Sequence, residues 1–196
     1  MAEVKIAATS GGGSVGLVGP STTTGNVARQ ITLPDVANGT LRTTTTPGAV
    51  LQVIHGSTST GVSQTSTGTK FDTNLSASIT PSSASSKVLI IVSQSTMVRS
   101  TASGSYYGAL HLLRGSTVII DGLGDGNGNN IGGRNEYDPT AYNTTQNMTS
   151  LNYLDSPNTT SATTYKTQGE LITSNSTMKC QESDTTSFIT LMEIAA

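Results

Sequence analysis

Leu151–Lys166 reads LNYLDSPNTTSATTYK, and this stretch decides the fold. Leu151 and Tyr153 alternate with polar residues, as do Thr163, Tyr165 and Thr167, so two strands are expected. Between them stands Asp155-Ser156-Pro157-Asn158, which is turn chemistry: Pro157 presets φ, and Asp155 and Asn158 can bond their own backbone. Pro157 lacks an amide donor and marks the end of a strand rather than its middle. Thr is stiff at χ1 and suits a pleated, half-wet surface. The expectation is a β-hairpin with a wide connection.

Working outward, strand signals recur through residues 47–196. Ala49–Ile54 is a first strand. Phe71, Leu75, Ala77 and Ile79 alternate with polar residues up to Pro81. Val88–Val92 is continuously apolar, which predicts a central strand covered on both faces. Tyr106–Arg114 and Thr117–Ile120 pair across Gly115-Ser116. Further strands are expected near Met148–Leu154, Thr163–Leu171, Thr177–Gln181 and Phe188–Ile194. No segment carries a capped helical period. About eight strands with turns between them predict an all-β, antiparallel, jelly-roll-like sandwich.

Composition agrees with a polar β-protein. Only 34% of residues are apolar and 11% charged, and nearly a third of the chain is Ser or Thr. Disorder usually brings high net charge and few β-branched residues; here the net charge is −2 and Thr, Val and Ile are plentiful. No basic excess supports nucleic-acid binding. No apolar run approaches the ~18 residues that span a membrane, and the start lacks the pattern of a signal peptide. One cysteine, Cys180, excludes an intrachain disulfide. The Asn-X-Ser/Thr sites, such as Asn74 and Asn158, follow by chance from an Asn- and Thr-rich chain.

Residues 1–46 differ. Val4 and Ile6, then Val15, Leu17 and Val18, then Val27, Ile31 and Leu33 form short apolar clusters, each too small for its own core. They suit strands that lie on a partner surface, so residues 1–46 are expected to be an attachment segment and linker.

Asn152–Pro157 with Thr159–Tyr165, the terminal Ile189–Ile194, Ser82–Val92 and Leu113–Ile119 together resemble the C-terminal β-domain of bacteriophage fibre and capsid-decoration proteins, of the marine and cyanophage type. The matches cover about residues 47–196. The resemblance implies a virion surface protein that forms a homotrimer and sits on the major capsid protein as a decoration (cement) protein or short head fibre. Val4, Ile6, Val15, Leu17, Val18, Val27, Ile31 and Leu33 are then the docking residues. The alternative is a tail fibre whose outer loops hold a host surface glycan. Two Phe and no Trp leave the core thin in large side chains, so subunit contacts are expected to bury Tyr106, Tyr107, Leu110 or Leu112.

Asp121–Asn143 is the one segment that suggests a ligand. Asp125, Asn127 and Asn129 with Glu136 at the twelfth place match the spacing of a calcium loop. Against this, Asn130 stands where glycine is expected, Gly132 replaces an apolar residue, and no flanking helices are apparent. A long exposed loop is the expectation, with Arg134, Tyr137 and Tyr142 as contact anchors. His55 and His111 read as strand residues, Cys180 as a buried thiol, and the carboxylates as scattered. No enzyme chemistry and no cofactor are expected.

Overall fold

The computed structural model describes residues 5–7, 14–16, 47–101, 104–122, 130–135 and 143–196. The chain divides into two units, Met1–Leu41 and Arg42–Ala196. In the first, β1 (Lys5–Ala7) and β2 (Ser14–Gly16) pair antiparallel, with Ile6 opposite Val15.

The second unit is an antiparallel β-sandwich. Its strands are β3 (Val50–Thr58), β4 (Val62–Gln64), β5 (Lys70–Ile79), β6 (Lys87–Ser100), β7 (Gly104–Arg114), β8 (Thr117–Ile120), β9 (Asn130–Asn135), β10 (Asn143–Asp155), β11 (Thr163–Leu171), β12 (Ser176–Cys180) and β13 (Ser187–Ile194). One sheet runs β3-β13-β6-β10. β10 takes one edge of β6 along nearly its whole length, so β13 and β12 share the other edge end to end, with β4 beside β12. The second sheet runs β5-β11-β7, and β8 and β9 share the far edge of β7. Taken in chain order, β3, β5, β6, β7, β10, β11 and β13 alternate between the sheets. That is the jelly-roll order.

This order corrects the hairpin expected at Leu151–Lys166. β10 pairs with β6, whereas β11 pairs with β5 and β7, so the connection crosses from one sheet to the other. Period-2 patterning finds strands but does not say which sheet each one joins. Pro157 does lie just past the strand end, and Asn158 takes φ 52° there. The Gly115-Ser116 hairpin is as read: β7 and β8 flank it, and Gly115 has φ 59° at its first position, where only glycine is unstrained.

The core lies between the sheets. Leu75, Ile79, Ile90, Leu110, Leu112, Leu151, Tyr165, Leu171, Ile189 and Leu191 are all fully buried in it. Two further expectations change here. Tyr106, Leu110 and Leu112 are already buried inside this one chain, and only Tyr107 is exposed. Val88–Val92 is central but covered on one face only: Val88, Ile90 and Val92 point inward, while Ile91 is 39% exposed.

Polar groups also cross the interior. Thr73 and Thr167 share a hydroxyl hydrogen bond, and the Thr167 hydroxyl donates to Gln94 Oε1 at 2.7 Å. With its amide turned so that the carbonyl oxygen meets Ser187 Oγ and Gln94 Nε2, Gln181 directs its nitrogen at the carbonyls of Thr73, Thr60 and Cys180. The chain from Thr73 through Gln94 to Ser187 therefore ties the second sheet to the first without any charge.

A charged clamp closes one end. Asp155, at the end of β10, accepts from Arg114 Nη1 at 2.9 Å on both oxygens and from the Tyr165 hydroxyl at 2.7 Å. Arg114 ends β7 and Tyr165 lies in β11, so Asp155 reaches across to the opposite sheet instead of capping its own turn. Burial first, then the bond to the Asp155 carboxylate, raises the Tyr165 hydroxyl far above its usual range. Asp155→Ala would strand the buried Tyr165 hydroxyl and the half-buried guanidinium. It is expected to cost about 3 kcal/mol in urea unfolding, and Asp155→Asn less. A loss below ~1 kcal/mol for the alanine variant would show that the clamp is dispensable.

Candidate functional site

Most of the residues singled out from sequence lie outside the described residues: Val4, Leu17, Val18, Val27, Ile31 and Leu33 of the attachment segment, Asp125, Asn127, Asn129 and Glu136 of the calcium-like spacing, and Tyr137 and Tyr142 of the loop. Ile6 and Val15 are cross-strand partners in β1 and β2. Arg134 is in β9, paired with Ser105 of β7, so it belongs to a strand and not to an open loop. Among the described residues no three His, Cys, Asp or Glu side chains converge as metal ligands, and no helix is long and apolar enough to cross a membrane.

What the strands do assemble is an apolar face. On the outside of the β3-β13-β6-β10 sheet, Val53, Met192, Leu89 and Leu154 form one row across four strands. His55, Thr190, Ile91 and Asn152 form the next row, and Ser57, Phe188, Ser93 and Ser150 the one after. Val53 is 54% exposed, Leu154 48% and Phe188 40%; Val50 and Met148 extend the patch at either end. His55 stacks on Phe188 with ring centroids 5.6 Å apart, and its Nδ1 lies 3.2 Å from Thr190 Oγ1. These three rows hold no Lys, Arg, Asp or Glu, and Lys87 and Arg99, on the same phase of β6, flank them at either end. The outer face of β5 and β11 is of the opposite character, with Lys70, Asp72, Asn74, Ser76, Ser78, Thr164 and Lys166.

Sequence reasoning did not locate this face, yet its signal was present. Ser187–Ile194 reads SFITLMEI, in which Ile189 and Leu191 fill the inward phase while Phe188, Met192 and Ile194 make the outward phase apolar as well. Val88–Val92 shows the same doubling. A strand of a two-layer sandwich needs only one apolar phase. The second phase leaves an apolar patch on the surface of the chain.

A second feature lies at the edge of that sheet. A cavity of about 500 Å³ opens between Leu51, Gln52, Ser82, Ser83, Ser86 and Glu193. Glu193 occupies an inward position of β13, is fully buried and has no cationic partner among the described residues. Its Oε1 accepts the Ser82 N–H and hydroxyl, each at 2.7 Å, and its Oε2 accepts Gln52 Nε2 at 2.6 Å. Burial pushes its carboxyl up, but side-chain bonds from Gln52, Ser82 and Ser86 and the Ser82 backbone N–H outweigh this and hold it at about 2. With no exposed surface and its lone pairs occupied, this carboxylate fastens the Ser82–Ser86 turn to β13. It is not placed to act on a ligand.

The Cys180 thiol is buried, and burial pushes it up to about 12, so no thiolate forms near neutrality. No family model matches the chain, and no curated protein matches it.

The Glu193 site sets an acid limit. Its folded value lies below the ordinary 4.5, so its contribution is complete above about pH 4.5 and is lost as pH falls towards 2. Roughly 2–3 kcal/mol of folding stability is expected to disappear across that window in urea titrations. Glu193→Gln should be less stable at pH 7 and should lack most of this acid dependence.

Proposed function

We propose that this chain is a structural protein of a virus-particle exterior, built to assemble with copies of itself and to decorate a capsid. The observation that carries this reading is the apolar patch on the outer face of the β3-β13-β6-β10 sheet. A second copy is the occupant it fits best. The face offers Val, Leu, Ile, Met and Phe with Ser, Thr, Asn152 and His55 between them, and its cations, Lys87 and Arg99, stand at the ends, which leaves the middle without a charge for a partner to recognise.

Its size supports assembly by several weak contacts. Four strands about 4.8 Å apart and some eight residues long make a patch on the order of 500 Å², below the ~800 Å² per partner of a standard interface. One such contact is weak; closed symmetry or attachment to a lattice multiplies it. A homotrimer joined through this face, with residues 1–46 on the major capsid protein, would stabilise the lattice by binding only its assembled form. The likeness of residues 47–196 to phage fibre and decoration domains supports the same assignment.

Light scattering coupled to gel filtration tests the assembly. The chain is expected to run as a trimer, and Leu154→Asp or Val53→Asp, both exposed in the single chain, should raise the dissociation constant at least ~10-fold without unfolding it. A monomer at every concentration would overturn the assignment of the face. Copy number in purified particles tests the role. Hundreds of copies per particle support capsid decoration; a few to a few tens would place the protein on a tail fibre that holds a host glycan.

A further inference from the structure

His111 sits in β7 with Leu110 and Leu112 on either side, both of which point into the core. Alternation therefore turns the imidazole to the other side of the sheet, and there too it is fully buried. Its Nδ1 is approached by two successive residues that follow β8. The Gly122 N–H donates to Nδ1 at 3.2 Å, and Asp121 Oδ1 lies 3.0 Å from the same nitrogen. On the far side of the ring, Nε2 lies 3.2 Å from Glu170 Oε2, outside hydrogen-bond geometry.

One nitrogen cannot serve both neighbours in the same state. A neutral ring with its proton on Nε2 offers Nδ1 as an acceptor, which suits Gly122 and sets a bare nitrogen against the Asp121 oxygen. The only lone pair left to take a further proton is that of Nδ1. Once protonated, Nδ1 becomes a donor. It then suits Asp121 and confronts the Gly122 N–H with another N–H.

We propose that His111 is a proton-operated latch: neutral, it holds the Gly122 amide against β7; protonated, it releases Gly122 and takes Asp121 in its place. Gly122 is suited to this docked position because it is buried and any Cβ there would strike the Leu110 backbone. The charged groups around the ring come from three places. Asp121 follows β8, Glu170 lies in β11 opposite Ala109, and Lys70 lies in β5. Burial and then the Lys70 charge disfavour the proton, while Asp121 and Glu170 favour it, and the balance holds the ring below its ordinary value. The latch therefore stays closed at neutral pH and opens on the acid side.

Amide exchange and ring titration, followed by NMR between pH 4 and 8, test it in the full chain. Protection of the Gly122 amide, corrected for intrinsic exchange, is expected to fall at least ~10-fold on acidification, with the same midpoint as the His111 ring shift. The amide of Leu110 should keep its protection and so exclude general unfolding. His111→Asn places an amide oxygen near Nδ1 and cannot titrate; its Gly122 protection should stay flat. Asp121→Asn should move the ring and amide midpoints together to lower pH. Gly122 protection that ignores the ring titration, or that falls equally in His111→Asn, would overturn the latch, as would a ring that never takes the proton.

Discussion

Asp155 stands where the jelly roll passes from one sheet to the other. The chain leaves β10 in one sheet and enters β11 in the other, so no ladder bond joins these consecutive strands. Asp155 supplies the missing link by bonding Arg114 and Tyr165 across the gap. Ion pairs taken out of water rarely stabilise much by themselves, because desolvation offsets the attraction. Their value is directional. A carboxylate gripped on both oxygens by one guanidinium and by a phenol is directional in a way that apolar contacts are not.

The Gln94 chain solves the same problem at the middle of the sandwich with neutral groups. Thr73, Thr167, Gln94, Gln181 and Ser187 are all buried, and each partner satisfies the next. A hydroxyl or amide left without a partner there would cost ~1–3 kcal/mol, so the network admits one register and penalises its neighbours. A composition short of large apolar residues can still specify one fold in this way: the core supplies cohesion, and the polar chain supplies register.

How much of this could be read from residues alone divides along the range of the interactions. Most strands from Phe71 to Ile194 were legible, because alternation and turn residues are local signals, and β11 and the β7–β8 hairpin fall where the pattern puts them, whereas β9 was hidden in a Gly- and Asn-rich stretch that reads as loop. Sheet membership was not. Nothing in Leu151–Lys166 says that its two strands part company, and Asp155 looks like any turn carboxylate until Arg114 arrives from 41 positions away. Glu193 was hidden differently. It occupies an inward phase beside Ile189 and Leu191, a place for an apolar residue, and only the folded Ser82–Ser86 turn accounts for it. The apolar face was half legible: Val88–Val92 announced cover on both sides, and the single chain provides it on one.

Two buried titratable groups give the fold a common response to acid. Glu193 and His111 are both held below their ordinary values, one by hydrogen-bond donors and the other by burial and Lys70. In each case the unfolded chain takes up a proton that the folded chain refuses, so stability falls as pH falls. The windows are separate. His111 acts from about pH 6.5 downwards, and Glu193 only between about 4.5 and 2. Mild acid therefore reaches the Asp121–Gly122 corner of the second sheet while the Ser82–Ser86 turn and the β3-β13-β6-β10 face beside it stay fastened. Under the assembly proposed for that face, mild acid would loosen the corner and leave the contact between copies intact.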